Sequence, residues 1–283
     1  MKILTSKLDK SINFVEQQLT GFIESRYVRR TDDYFIAYLS SQTGCNRGCL
    51  MCHLTATKQT MFTNCDLTEF VTQLETVFSH YDRDTPAKTL HINWMARGEP
   101  LANPTITETS TELLLRLGNM AKDKNLQVKF NISTIMPVTF KKTLVQAFPI
   151  ITPTIYYSIY SIDSKFRNKW LPAAMDVSRA LELIAEYQQV SKKIIKFHGA
   201  FIKGENDHEN DVNLMIDKIL QYGIRGEFNI VRYNPYSIEQ GEESPLIDEI
   251  RSQISQYMPC KIIPRVGPDN FSSCGQFYLK KSE

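Results

Sequence analysis

The residues best suited to chemistry are three cysteines within one short segment. Cys45, Cys49 and Cys52 lie in GCNRGCLMC, with three residues between the first two and two residues between the last two. Thiolates are soft ligands that bind iron-sulfur clusters and zinc. Ordinary clusters use four cysteines, so a tight group of three leaves one iron free for another ligand. The spacing therefore predicts a cluster with an open coordination position.

Zinc is the alternative for this loop, because it accepts three thiolates and one imidazole. His53 is the available imidazole, but it directly follows Cys52, which is a poor spacing for two ligands of one small ion. The other cysteines are Cys65, Cys260 and Cys274. Six cysteines could form three disulfides, yet a chain of 283 residues without an export signal favours metal binding or catalysis.

The composition indicates a soluble globular protein. Hydrophobic residues make up 42% and charged residues 23%, and no apolar run approaches the roughly 20 residues that span a bilayer. The start of the chain lacks a signal peptide, so we expect a cytoplasmic protein, with a monomer favoured. The net charge of +2 gives no strong electrostatic indication of nucleic-acid binding.

Strand-like and helix-like segments alternate around and after the cysteines. The first unit pairs DYFIAYLS with DLTEFVTQLETVF, where Asp66 and Glu69 have the spacing of a capping box. Five further units begin with TLHINWM, VKFNIS, TIYYSIYS, IIKFHGAFI and EFNIVRY. Six such units predict an α/β fold, a partial (β/α)6 barrel. Chemistry in such folds takes place in the loops that follow the strands, which is where the three cysteines lie.

The N-terminal region is predicted to form an extension to this barrel. Apolar residues that recur every three or four positions predict a helix over residues 1–21. The β-rich runs FIESRYV and DYFIAYLS, separated by RRTDD, predict a β-hairpin over 22–41 that leads into a core over 42–283. The residues of the predicted helix face are Leu4, Leu8, Ile12, Val15 and Leu19.

The cysteine loop and six further segments resemble the radical S-adenosylmethionine (SAM) RNA methyltransferases. This family modifies adenine in large-subunit ribosomal RNA and, in some members, transfer RNA. The resemblance implies a radical SAM barrel that binds a 4Fe-4S cluster and SAM, acts on RNA and receives electrons from a flavodoxin or ferredoxin. Cleavage of SAM at the open iron would give a 5'-deoxyadenosyl radical. The matching segments are SSQTGCNRGCLMC, MARGEPLAN, FNISTIMP, YYSIYS, IKGENDHENDV, VRYNPY and SSCGQF.

The resemblance also implies roles for individual residues. Gly98 and Glu99 would hold the methionine end of SAM. Cys274, in the C-terminal catalytic-cysteine segment, would accept a methyl group and carry it to C2 or C8 of adenine, since a thiolate is a strong nucleophile. Glu24 would take up a proton during product formation. The residues that would line the SAM pocket are Ser133, Ser158, Tyr160 and Asn234.

One departure from the family concerns the reaction itself. The family has a second reactive cysteine seven positions before the first cluster ligand, where this chain has Tyr38. A phenol cannot form the disulfide that releases the methylated product. Either Cys65, Cys260 or a small thiol from solution replaces it, or the enzyme cleaves SAM without methylating. Both functions stay open at this point.

Other positions bear on the substrate. Arg97 stands where the family has an apolar residue and Tyr160 where it has histidine, so we expect both to alter the pocket chemistry. An RNA adaptor that binds zinc or a cluster without catalysis is a further alternative. Basic side chains contact phosphates in RNA complexes. The positions that could line an RNA path are Arg26, Arg29, Arg30, Lys192, Lys193 and Lys196.

Overall fold

A ten-stranded sheet organises residues 1–279, which are the part of the chain described by the computed structural model. The strands lie in the sheet in chain order. The first four are antiparallel, and β4 to β10 are parallel. The strands are β1 Lys2–Thr5, β2 Ser11–Gln17, β3 Phe22–Arg29, β4 Tyr34–Tyr38, β5 Thr89–Trp94, β6 Gln127–Thr134, β7 Thr154–Ser158, β8 Ile195–Gly199, β9 Gly226–Val231 and β10 Cys260–Ile263.

The sheet curves into a partial barrel whose edge strands, β1 and β10, do not pair with each other. The predicted α/β partial barrel is therefore confirmed, with β10 as a parallel strand beyond the six that the sequence predicts. The hairpin predicted over 22–41 corresponds to β3 and β4, which pair antiparallel.

Helices follow the parallel strands. Asp66 and Glu69 form the predicted capping box, with both reciprocal hydrogen bonds at 2.8 Å. Within residues 1–279, no helix combines the length and the apolar character that crossing a membrane requires. The helices are α1 His53–Ala56, α2 Leu67–Tyr81, α3 Pro104–Thr107, α4 Ser110–Asp123, α5 Leu144–Ala147, α6 Ser164–Trp170, α7 Val177–Ser191, α8 Glu209–Gln221 and α9 Ile247–Ser255.

Alternation along the parallel strands separates the core from the concave face. On β6, Phe130 and Ile132 join the main apolar core, and the residues that alternate with them, Lys129, Asn131 and Ser133, line the cavity, which Phe130 also borders. Because successive side chains of a strand point to opposite sides, each parallel strand contributes to both. The concave face is polar, and it carries the site.

The helix predicted over residues 1–21 is wrong, because this region forms β1 and β2. All seven residues of β2 pair with β3, and Ile12 and Phe14 pack into the core. Leu8 and Leu19 are 71% and 102% exposed and lie outside these strands. The apolar residues with helical spacing are therefore a mixture of buried strand residues and exposed residues of the connecting segments.

Candidate functional site

One cavity of about 1150 Å³ runs along the concave face of the sheet and extends to Leu114, Leu115, Gly118 and Asn119 of α4. The loops that follow β4, β5 and β10 meet at its upper end, which we define as the end at the carboxyl ends of the parallel strands. All but one of the predicted site residues line this cavity; the exception is Glu24. Those lining it are Cys45, Cys49, Cys52, Gly98, Glu99, Ser133, Ser158, Tyr160, Asn234 and Cys274.

The cysteine loop is held by backbone hydrogen bonds. The Cys45 amide donates to the Gln59 carbonyl at 3.1 Å, and the Cys52 amide donates to the Cys49 carbonyl at 3.1 Å. Burial raises the pKa of the Cys45 thiol to about 12 and that of the Cys52 thiol to about 11. Metal ligation requires the thiolate, so a bound cation must supply the energy to deprotonate these groups. The donor set fits iron.

The zinc alternative is not favoured by the geometry. His53 Nε2 lies 3.0 Å from the Asn234 carbonyl oxygen, and its ring packs edge-on against Tyr236. Among the side chains of residues 1–279, no three of His, Cys, Asp or Glu are grouped so that they could hold one metal ion. An iron-sulfur cluster does not require three side chains around one ion, because each thiolate binds a separate iron.

Gly98 and Glu99 form the part of the site that fits an amino acid. Gly98 has φ +95°, and a Cβ there would lie 2.5 Å from Ser41 Oγ, so only glycine fits. The Glu99 carboxylate accepts hydrogen bonds from the Leu101 and Ile135 amides, both at 3.1 Å. Burial nevertheless raises the pKa of Glu99 to about 7. An ammonium group placed beside it would stabilise the carboxylate.

Ser133 and Ser158 converge on a histidine that the sequence analysis missed. Their hydroxyl oxygens lie 3.3 and 2.8 Å from His198 Nε2. Burial lowers the pKa of His198 to about 4, so the imidazole is neutral at physiological pH. His198 lies two residues after Lys196 on β8, and strict alternation along IIKFHGAFI would have placed it on the concave face.

Cys274 abuts the cysteine loop. The His53 amide donates to the Gly275 carbonyl at 2.9 Å, and Asn234 Nδ2 donates to the Cys274 carbonyl at 3.0 Å. The Asn234 side chain also accepts a hydrogen bond from Arg265 Nε at 2.7 Å, and its contact with the cofactor stays a prediction. The Cys274 residue is exposed to the cavity, yet its sulfur lies deep enough that burial raises its pKa to about 11.

Two tyrosines share this part of the cavity with Cys274. Burial raises the pKa of Tyr160, and negative charge on Cys274 would raise it further. The same two effects raise the pKa of Tyr38. Tyr38 lines the cavity, so the phenol that replaces the family's second cysteine faces the same space as Cys274.

Glu24 lies outside the cavity, in a buried ion cluster. It is fully buried and binds Arg97 Nε at 2.7 Å and an Arg26 terminal nitrogen at 2.9 Å. Burial by itself raises the pKa of Glu24, but Arg97, Arg26 and a hydrogen bond from Asn13 outweigh it and hold the pKa below its usual value. A carboxylate stabilised in this way is a poor proton acceptor, so the geometry favours a structural role for Glu24.

Arg97 acts on the cavity only from behind it, because its positive charge lowers the pKa of Cys52 against the larger effect of burial. Arg97 does not line the cavity. Besides binding Glu24, it donates to Gln59 Oε1 at 2.7 Å and to the Tyr278 carbonyl at 2.6 Å. Arg97 therefore links β3, the cysteine loop and the C-terminal segment from behind the site.

Neither spare cysteine reaches the cavity. Cys65 is fully buried in the main core, and Cys260 packs against that core from β10. Its neighbour Lys261 is the residue that faces the cavity. All six cysteines of the chain lie within residues 1–279, so none faces the cavity except Cys274 and the three in the loop.

The basic residues proposed for an RNA path divide into two groups. Arg29 is buried and donates to backbone carbonyls, among them that of Thr85 at 2.6 Å. Arg26 lines the cavity but is engaged by Glu24 and by carbonyls of the C-terminal segment. Arg30, Lys193 and Lys196 line the cavity, and Lys192 does not.

Comparison with curated proteins identifies RNA methyltransferases as relatives. The chain is 25% identical over 247 residues to the dual-specificity RNA methyltransferase RlmN of Wolinella succinogenes, covering 86% of this chain and 66% of the relative. It is 27% identical over 267 residues to RlmN of Aliarcobacter butzleri, covering 92% and 70%. The chain spans about two thirds of the length of these relatives. No family model matches.

Solved structures support the fold. A radical SAM methyltransferase from Sphaerobacter thermophilus superposes with a TM-score of 0.76 at 18% identity, covering 98% of this chain and 80% of that one. Streptococcus suis SuiB bound to S-adenosylmethionine gives a TM-score of 0.55 at 14% identity, covering 81% and 50%. At these identities, the structural similarity supports the fold alone. Together with the curated relatives, they confirm the resemblance to radical SAM RNA methyltransferases that the motifs indicate.

Proposed function

We propose that this protein is a radical SAM transferase that methylates a carbon of adenine in RNA. One observation carries the proposal: the three loop cysteines, the Gly98–Glu99 pair and Cys274 line a single cavity at the carboxyl ends of the parallel strands. The curated relatives are named as RNA methyltransferases, which supports RNA as the substrate.

The cofactors would be a 4Fe-4S cluster and SAM, which together supply a methyl group and one-electron chemistry that removes a hydrogen atom. The three loop thiolates would hold the cluster and leave one iron for SAM. The Gly98 backbone would allow close approach of the methionine end, and the Glu99 carboxylate would accept hydrogen bonds from its amino group. A flavodoxin or ferredoxin would supply the electrons.

Cys274 would accept the methyl group and present it to adenine. Its backbone is held by Asn234 and, through Gly275, by His53. Burial disfavours the thiolate, while the positive charge of Arg26 favours it. A sulfonium bound in the same cavity would act in the same direction as Arg26.

Tyr38 supports a second candidate function, a radical SAM enzyme that does not methylate. The phenol faces the cavity, and neither Cys65 nor Cys260 does. If methylation takes place, a small thiol from solution must release the product. If no thiol does so, the enzyme acts on its substrate by hydrogen abstraction.

The test is anaerobic reconstitution followed by measurement of 5'-deoxyadenosine and of methylated RNA, with reduced flavodoxin as donor. We expect Cys45→Ala to lose the cluster and SAM cleavage, and Cys260→Ala, a cysteine outside the cavity, to keep both. Cys274→Ala should keep SAM cleavage and lose methylated RNA. SAM cleavage without methylated RNA, in wild type as well as in Cys274→Ala, would instead support the non-methylating enzyme.

A further inference from the structure

The cavity continues well below the residues assigned to the cofactors. Its volume of about 1150 Å³ exceeds the roughly 300–1,000 Å³ of ordinary small-molecule sites. On β6 it is lined from Ser133 down to Lys129, a span of four residues or about 13 Å along the strand. The lower half therefore has room for a second ligand.

Five cations surround the lower end of this cavity, at the amino ends of the parallel strands. Lys129 and Lys261 lie near the starts of β6 and β10, and Arg30 follows β3, which runs antiparallel to β4. We call this set the lower mouth. Its residues are Arg30, Lys129, Lys193, Lys196 and Lys261.

The charge of the lower mouth is largely uncompensated. Lys196 forms an ion pair with Glu227. Within residues 1–279, the other four cations have no carboxylate partner. Clustered cations at the rim of a cleft raise the local concentration of anions. The whole chain has a net charge of only +2, so this excess of positive charge is local to the lower mouth.

The charges of these cations affect the pKa values of side chains in the wall of the cavity. Burial and, to a smaller extent, the charge of Lys129 together lower the pKa of His91 to about 4. Burial raises the pKa of Tyr156 to about 12, and the charge of Arg30 opposes this rise. Both cations therefore lie close to aromatic residues of the concave face.

Groups suited to nucleotide bases lie beside these cations, because His91 pairs with Lys129 and Asn229 with Lys261 in the sheet. Tyr34 stacks on His91 with ring centroids 4.7 Å apart and planes inclined by 12°. Asn229 Oδ1 is buried without a hydrogen-bond partner, on a residue that lines the cavity. Aromatic faces and free amide groups are what proteins use to hold unstacked bases.

We propose that the lower mouth binds phosphates of the RNA substrate, whose target adenine passes up the cavity to Cys274. This inference rests on the proposed function. Phosphate contacts fix register, and an extruded base then occupies the pocket above. RNA is the occupant favoured here because cationic, base-binding and reactive groups line one cavity, whereas a small free anion would use only the lower mouth.

The test uses the reconstituted enzyme and a fluorescently labelled, adenine-rich single-stranded RNA of about a dozen nucleotides. The variant is Lys129→Ala with Lys261→Ala. The control is Lys10→Ala with Lys218→Ala, two cations that lie outside the cavity and have no ion pair within residues 1–279. Binding is measured by anisotropy between about 50 and 200 mM salt.

We expect the cavity variant to bind at least about tenfold more weakly, with a salt dependence reduced by about one per lost phosphate contact. The control should match wild type in RNA affinity, in salt dependence and in SAM cleavage without RNA. RNA binding by the cavity variant with wild-type affinity and salt slope overturns the inference but not the proposed function. A cavity variant that binds RNA like wild type but no longer binds inorganic pyrophosphate, measured by titration calorimetry, also overturns the inference, because the lower mouth would then be a small-anion site. No RNA binding by wild type overturns both.

Discussion

Arg97 Nε lies 2.7 Å from Glu24 Oε1, with both side chains completely shielded from solvent. The same carboxylate oxygen accepts a hydrogen bond from the Tyr278 amide at 2.9 Å, and Arg97 donates to the Tyr278 carbonyl. Arg26 completes the cluster by donating to the carbonyls of Ser272 and Gln276, on either side of Cys274. Cys274 is thus anchored from both flanks by Arg26 of β3.

Removing the charge of Glu24 should destabilise the fold. Glu24→Gln leaves two buried guanidinium groups without their carboxylate, a loss of about 3–5 kcal/mol in unfolding free energy. Urea unfolding measures it, with Glu16→Gln, an exposed position on neighbouring β2, as the control. A loss below about 1 kcal/mol would contradict the assigned role.

The pH dependence of the unfolding free energy should also reflect the buried Glu24 ion cluster. The pKa of Glu24 is held below its usual value of 4.5 in the folded state. A carboxyl with a depressed pKa contributes stability that is present above the unfolded-state pKa and lost as pH falls through the folded-state pKa. Below about pH 4.5, wild type should therefore lose unfolding free energy more steeply than Glu24→Gln. Parallel curves for the two proteins would exclude this linkage.

Gly98 should be essential for SAM binding. An added Cβ would lie 2.5 Å from Ser41 Oγ and 2.7 Å from the Gln42 backbone nitrogen. We expect Gly98→Ala to reduce 5'-deoxyadenosine formation by at least about tenfold, since φ +95° is also strained for alanine. Gly204→Ala is the matched control, with φ +73° and no atom within 4 Å of the new Cβ. Equal losses in both variants would point to backbone strain alone.

A thiol at position 38 should restore internal product release. Because Tyr38 and Cys274 face the same cavity, Tyr38→Cys is expected to form a disulfide with Cys274 during turnover and to remove any dependence on added thiol. Peptide mapping and product yield with and without a small thiol measure this. Tyr34→Cys, lower on the same strand, is the control. An unchanged thiol requirement in Tyr38→Cys would show that the two positions do not meet.

The sequence was informative where signals are local. The Asp66–Glu69 capping box and the cysteine loop after β4 depend on residues close together in the chain, and both lie where predicted. The Glu24–Arg97 pair joins residues 73 positions apart, so no local spacing in the sequence predicts it. The N-terminal strands were missed because Leu8 and Leu19 completed a helical pattern by coincidence, although neither is buried.

The most direct test of the account is mass spectrometry of the anaerobically reconstituted protein after incubation with methyl-labelled SAM. We expect one labelled methyl group, located by peptide mapping on Cys274. Cleavage of SAM to 5'-deoxyadenosine with Cys274 unmodified would contradict the methyltransferase function.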